Sequence, residues 1–314
     1  MRQLSFSSVG FDCFGKTTRR GAFLAEMEQV VPWRRLYDLI APFYPKPGKD
    51  RGPVGLDCML RIYFLQHWFS LSDPGAEEAL YDSEVMRRFV GVDLGREPVP
   101  DETTILNFRH LLERHELCGQ IFQEVNAYLA ERGLKVSTGT IVDATIIHAP
   151  SSTKNEAMAR DPEMHQPRKG NQWYFGMKAH IGVDSKTKLI HAVAATPANT
   201  HDSTLLEDLL HGDETRVWGD QAYRGQREVI HRCAPRAKDF TNRRAKFGGV
   251  ANEAEKAKNR RKSKARAKVE HCFAVIKRVF GFTKVRYMEI DKNADGLFAS
   301  CALVNLFMLR RRLL

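Results

Sequence analysis

The chain has 314 residues, 43% hydrophobic and 28% charged, with a net charge of +11 and a pI near 9.4. That balance describes a soluble globular protein of one large or two ordinary domains. No run approaches eighteen uncharged apolar residues and Met1 to Ser5 opens no apolar signal core, so neither a membrane span nor secretion is expected.

Cys13, Cys58, Cys118, Cys233, Cys272 and Cys301 form no C-x-x-C pair. They read as buried thiols in a reducing compartment and disfavour a zinc site. In chain order, the first twenty residues read as a loose arm rich in Ser, Gly and Thr. Residues 21–41 read as a helix pair broken by Pro32, followed by a Pro/Gly connector from Pro42 to Pro53. Gly55 to Leu71 is apolar almost all round, as in a buried central helix, closed by Asp73-Pro74-Gly75. Ala76–Val90 reads as one further helix. Asp101 stands where its carboxylate can cap a helix carrying Ile105, Phe108, Leu111 and Leu112 inward. Leu117, Ile121, Val125 and Leu129 recur at helical spacing over 116–132. A helix-turn-helix fits within 76–113, but a plain bundle accounts for the same pattern more simply.

Beyond Lys135 the period changes. Trp173, Phe175, Met177, Ala179, Ile181 and Val183 alternate with more polar neighbours, which predicts a strand. Leu189 to Ala195 returns as its partner. Asp202–Leu210 reads as a helix, Arg216–Gly219 as a short strand, Gln226–Cys233 as a short helix and Ala294–Leu313 as the last helix. The long polar loop 149–171 suggests function or mobility. The order predicts an α/β fold after an all-helical half, with domains at 1–135 and 136–314 and a basic segment at 234–268.

Three carboxylates stand out. Asp143 interrupts the apolar run Thr140 to Thr145, Asp220 follows Val217-Trp218-Gly219, and Glu270 lies on a helical pattern with Arg266 and Lys277 on one flank. Val269, Cys272, Phe273, Ile276 and Phe280 make the opposite, core-facing flank. Singly, each acid has an ordinary role: a salt bridge for Asp143, a turn cap for Asp220, an i,i+4 pair with Arg266 for Glu270. Together, two strand aspartates and a helix glutamate can hold divalent cations for phosphoryl transfer. From Lys256 to Arg278 ten cations face one carboxylate, Glu270, and such a field suits nucleic acid. No G-x-x-x-x-G-K-[ST] loop is present, so ATP is not implied, and His148, His180, His191 and His201 lack metal-binding spacing.

These segments jointly resemble the DDE transposases of bacterial insertion sequences, of the IS5 family within the IS4-like group. Pro100 to His110 is similar to that family's N-terminal domain, and Val142-Asp143-Ala144-Thr145 to its first acidic segment. Asn199-Thr200-His201-Asp202-Ser203 is similar to its histidine-aspartate stretch, and Gly219 to Gly225 to its second acidic segment. Arg266, Glu270 and Lys277 fit its Y-x2-R-x3-E-x6-K signature, with Ser263 where the tyrosine falls. The resemblance covers nearly the whole chain. It implies an RNase H-like catalytic domain, a mixed sheet flanked by helices, in which Asp143, Asp220 and Glu270 are catalytic and bind two Mg²⁺ ions, Mn²⁺ substituting. It also implies DNA contacts from Arg260, Arg261, Lys262, Arg266, Lys277, Arg278, Tyr223, Arg224 and His201. The implied partners are double-stranded terminal inverted repeats, target DNA and a second copy of the chain, in the bacterial cytoplasm at the nucleoid. The rival readings are a stand-alone RNase H-like nuclease and a domesticated DNA-binding protein without catalysis.

Overall fold

A computed structural model describes residues 16–46, 52–134, 136–156, 158–247 and 250–314. The expected N-terminal arm up to residue 15, Cys13 and connector residues 47–51 lie outside the described residues. The helical half holds α1 (Arg19–Val30), α2 (Trp33–Ile40), α3 (Leu56–Phe69), α4 (Asp73–Asp82), α5 (Glu84–Val90), α6 (Glu102–Arg114) and α7 (Leu117–Glu131). As expected, α3 is buried nearly all round and Asp101 caps α6, accepting from the Thr104 amide at 2.7 Å. On α7, Leu117, Ile121, Val125 and Leu129 are all fully buried.

Two boundaries differ from the expectation. The chain leaves α3 through Ser70 in the left-handed region (φ 56°), so Asp73-Pro74-Gly75 opens α4 instead of closing α3. The Ser72 hydroxyl caps that start by accepting from the Gly75 amide at 3.1 Å. The stretch 76–90 is two helices, because Ser83 adopts an extended conformation and its hydroxyl caps α5 at the Met86 amide.

The second half is built on a sheet. Its strands are β1 (Gly139–His148), the short hairpin β2 (Arg168–Lys169) and β3 (Gln172–Trp173), β4 (Gly176–Asp184), β5 (Ile190–Pro197), β6 (Arg216–Trp218), β7 (Lys238–Asp239), β8 (Lys246–Phe247) and β9 (Val250–Ala251). The main sheet runs β5-β4-β1-β6-β7; β4 pairs antiparallel with both β1 and β5, while β6 lies parallel to β1 and β7 parallel to β6. This mixed sheet with flanking helices is the RNase H-like arrangement. The remaining helices are α8 (Arg227–Cys233), α9 (Glu253–Arg266), α10 (Val269–Ala274), a π-turn over Val275–Val279, and α11 (Ile290–Leu313).

The first half of β1 is covered on both faces, which suits its apolar Ile141 and Val142. Ile141 and Ile147 join the large core shared with the helical half, whereas Val142 joins a small cluster with Leu206, Leu209, Val217, Tyr223 and Ile230. Of the alternating run at 173–184, only β4 forms a strand of the main sheet, and Trp173 stands exposed in the separate β2–β3 hairpin. β4 is likewise buried on both sides, His180, Gly182 and Asp184 being as enclosed as the apolar positions. The segment 202–210 lies over the polar side as two 3₁₀ turns, Asp202–Leu205 and Glu207–Leu209, and not as the α-helix expected from its leucines. That cover approaches so closely that a Cβ at residue 182 would fall 2.5 Å from the Leu209 carbonyl oxygen, which explains Gly182.

α11 joins the two halves. Asn305, 1% exposed, accepts from the Ile190 amide and donates to the Ile190 carbonyl and to Asn126 Oδ1, each at 2.8 Å. Replacing Asn305 with Leu strips the buried Ile190 amide of its acceptor and Asn126 Oδ1 of its donor, while the Ile190 carbonyl keeps Asn126 Nδ2 at 3.2 Å. The expected cost is about 2–4 kcal/mol, read as a lower urea midpoint; an unchanged midpoint would show that the bridge contributes nothing.

Candidate functional site

β1 and β6 run side by side with Ile141 opposite Trp218. Asp143, inside β1, and Asp220, in the turn after β6, each stand two residues beyond that pair, so the parallel register brings them to the same level where β6 ends. Asp143 is 8% exposed. Burial pushes its pKa up to about 6, against the pull of Arg266 and of the Ala144 amide; the charges of Asp220 and Glu270 push it further in the same direction. The three acids therefore share one electrostatic environment. Asp220 is half-buried and caps the 3₁₀ turn Gln221–Tyr223 by accepting from the Ala222 amide at 2.8 Å.

The expected single helix through Arg266, Glu270 and Lys277 is broken. Arg266 ends α9, a turn at Ala267 and Lys268 follows, Glu270 sits in the first turn of α10, and Lys277 lies in the π-turn. Val269, Cys272, Phe273, Ile276 and Phe280 do face the core, with exposures between 0 and 6%. The break has tertiary causes. Arg266 Nη1 donates to Asp143 Oδ2 at 2.7 Å, and Lys268 Nζ to the Ser185 carbonyl at 2.6 Å. Lys277 Nζ donates to Thr145 Oγ1 and to the Ile146 carbonyl, both at 2.7 Å. Burial, followed by the nearby Lys169, lowers the Lys277 pKa.

Of the three ordinary roles weighed for the acids, two are present: Asp143 is salt-bridged and Asp220 caps a turn. The third is not, since Arg266 pairs with Asp143, and Glu270 stands exposed with no ion-pair partner among the described residues. The three acids do not close into a ready-made metal cage: no group of three His, Cys, Asp or Glu side chains among the described residues is arranged to hold an ion. Of the three acids, Asp143 is compensated by Arg266. The donor set nevertheless suits a hard divalent cation, because it is all oxygen and sets three carboxylates against one contacting guanidinium.

The expected nucleic-acid contacts fall into two groups. Arg260, Arg261 and Arg278 are exposed, as are Arg224 and His201. Tyr223 is not available to DNA: it is fully buried in the small cluster, and burial raises its hydroxyl pKa. The sequence Gln-Ala-Tyr at a turn looks exposed, but Gly219 lets the Tyr223 ring fold back against the strand end. Lys262 is half-buried, and its Nζ donates to the Thr241 carbonyl at 2.9 Å. Ser263, at the signature's tyrosine position, accepts from Asn242 Nδ2 at 3.1 Å.

One polar group escaped sequence reasoning. Behind β1, Lys178 Nζ lies 2.8 Å from Asp202 Oδ1, and His180, fully buried, bonds Thr196 Oγ1 at 2.8 Å. The signal was the set of polar residues at alternate positions of β4. A family model described as Transposase DDE domain matches residues 135–306, and another, described as Transposase domain (DUF772), matches residues 12–111.

Proposed function

The chain belongs to the Transposase DDE domain family, and we propose that Asp143, Asp220 and Glu270 are its metal-binding catalytic carboxylates. As a DDE transposase it is an enzyme that acts on DNA, cutting and transferring strands, and enzymes of this family use divalent metals. The observation that carries the residue assignment is the β1–β6 register, which brings Asp143 and Asp220 level, together with the effect of the Asp220 and Glu270 charges on Asp143.

In this reading a pair of Mg²⁺ ions, for which Mn²⁺ substitutes, supplies activation of the attacking oxygen and neutralisation at the leaving oxygen. Asp143, rigid within β1, and Asp220, fixed by its own turn, hold the ions. Glu270, exposed on α10, completes the set from the helical side. Arg266 and Lys277 sit where cations can counter a phosphate near the scissile bond, and the exposed face of α9 tracks the backbone. The helical half, residues 1–135, recognises element ends and pairs two copies, while 136–314 carries the chemistry. The substrates are the terminal inverted repeats and target DNA of an IS5-type element, handled by a homodimer in the bacterial cytoplasm at the nucleoid. Among the described residues, no helix is long and apolar enough to cross a membrane.

The test is Glu270→Gln. Because Glu270 is exposed and unpaired, the variant is expected to melt with wild type. Losing one ligand charge should slow strand cleavage roughly a hundred-fold or more, equal to about 3 kcal/mol or more of transition-state stabilisation. Cleavage at the wild-type rate removes Glu270 from the mechanism.

A further inference from the structure

We infer that Arg266 is an exchangeable counter-ion: in the free protein it occupies the Asp143 carboxylate, and DNA phosphate draws it away, so that DNA and divalent metal bind cooperatively. The inference rests on the reading of Asp143 as a metal ligand.

The first support is the pair itself. Arg266 Nη1 lies 2.7 Å from Asp143 Oδ2, with the two side chains only 25% and 11% exposed. A cation placed on that oxygen meets the guanidinium directly, so metal and Arg266 compete for the same lone pairs. The second is that Arg266 is under-used where it sits: its Nε–H is buried and has no hydrogen-bond partner. A guanidinium fork satisfies more of its donors on a phosphate, bidentately, than on this single carboxylate oxygen.

The third is the helix that carries it. α9 buries no residue fully, and apart from Ala265 its half-buried positions, Glu255, Asn259, Lys262, Ser263 and Arg266, are polar and recur at helical spacing. It is docked by hydrogen bonds: Asn259 with both backbone groups of Arg243, Lys262 with Thr241, Ser263 with Asn242, and Arg266 with Asp143. Its exposed positions include Lys256, Lys258, Arg260, Arg261 and Lys264. A helix held without an apolar seam is cheap to shift, because water replaces its contacts. A polyanion that engages its outer face thus acts on the residue at its C-terminal end. If phosphate takes Arg266, Asp143 is freed for metal. By linkage, metal on Asp143 frees Arg266 for phosphate by the same factor.

The experiment measures Mn²⁺ affinity by electron paramagnetic resonance on the full chain, with and without a short duplex copied from the DNA flanking the gene. The proteins are wild type, Arg266→Gln, Arg266→Lys and Asp143→Asn. Without DNA, Arg266→Gln should bind Mn²⁺ about five- to a hundred-fold more tightly than wild type, with Arg266→Lys between. The duplex should tighten wild type by a similar factor and leave Arg266→Gln unmoved. Should Arg266→Gln fail to fold, the duplex arm on wild type decides: no gain in Mn²⁺ affinity overturns the inference. Equal or weaker binding by a folded Arg266→Gln also overturns it, while leaving the carboxylate reading intact if Asp143→Asn has lost Mn²⁺. Undiminished Mn²⁺ binding by Asp143→Asn brings down both.

Discussion

Asp143→Asn is expected to abolish strand cleavage and, at pH 8 without metal, to melt several degrees above wild type. Activity and stability move in opposite directions because the ionised carboxylate is costly where it stands. Burial raises the Asp143 pKa to about 6, against an ordinary carboxylate value of 3.8. A group whose folded pKa lies above its unfolded value contributes its full stability below the unfolded value, and loses it as pH rises through the folded one. At pH 8 the charge therefore disfavours the fold, by an upper limit of about 3 kcal/mol for a shift of roughly two units. The amide of Asn has the shape of the neutral acid, and its oxygen still accepts from Arg266. The advantage of the variant should shrink as pH falls through 6 and vanish near 4, roughly the unfolded value. Adding Mg²⁺ should stabilise wild type by mass action and leave the variant unchanged. Melts at pH 8 and pH 5, with and without Mg²⁺, check each part. A variant that melts below wild type at pH 8 would mean that the Arg266 ion pair outweighs desolvation.

Asp143 was legible because a carboxylate inside Ile141-Val142-x-Ala144 has no benign reading without a cation. Asp220 was legible only as the next acid after a short apolar run; what makes it a companion of Asp143 is a parallel pairing between residues 77 positions apart, which local sequence does not specify. The seam Val269 to Phe280 gave the right face, yet not the interruption of the helix. Helical period is blind to side chains such as Arg266, Lys268 and Lys277, which leave the helix line to bond β1 and Ser185. The same limit hid the Asp143–Arg266 pair, whose partners stand 123 positions apart. Tyr223 was misplaced because an amphipathic ring suits either a DNA surface or a core, and only the approach of Gly219 decides. The 202–210 leucines suggested an α-helix; packing across the sheet closed them into 3₁₀ turns instead.

The exposed side of α9 should set most of the salt dependence of DNA binding, and the inward-turned Lys262 almost none. Arg260, Arg261 and Lys264 are exposed, whereas Lys262, between them in sequence, turns inward to the Thr241 carbonyl. A basic run read from sequence alone treats all four alike; the helix separates them by about 100° per residue. Each phosphate neutralised by an outer cation releases counterions and adds about 0.9 to the slope of log K against log salt. Replacing Arg260, Arg261 and Lys264 together with Ala should flatten the slope by roughly 2–3. That corresponds to binding on the order of a thousand-fold weaker at about 50 mM salt, with the difference closing towards 1 M. Lys262→Ala should leave the slope unchanged and instead loosen α9, seen as faster amide exchange in that helix without loss of the global fold. Titrating a labelled duplex at several salt concentrations distinguishes the two sides. A triple variant with the wild-type slope would assign the outer face of α9 to solvent and move the DNA path elsewhere on the molecule.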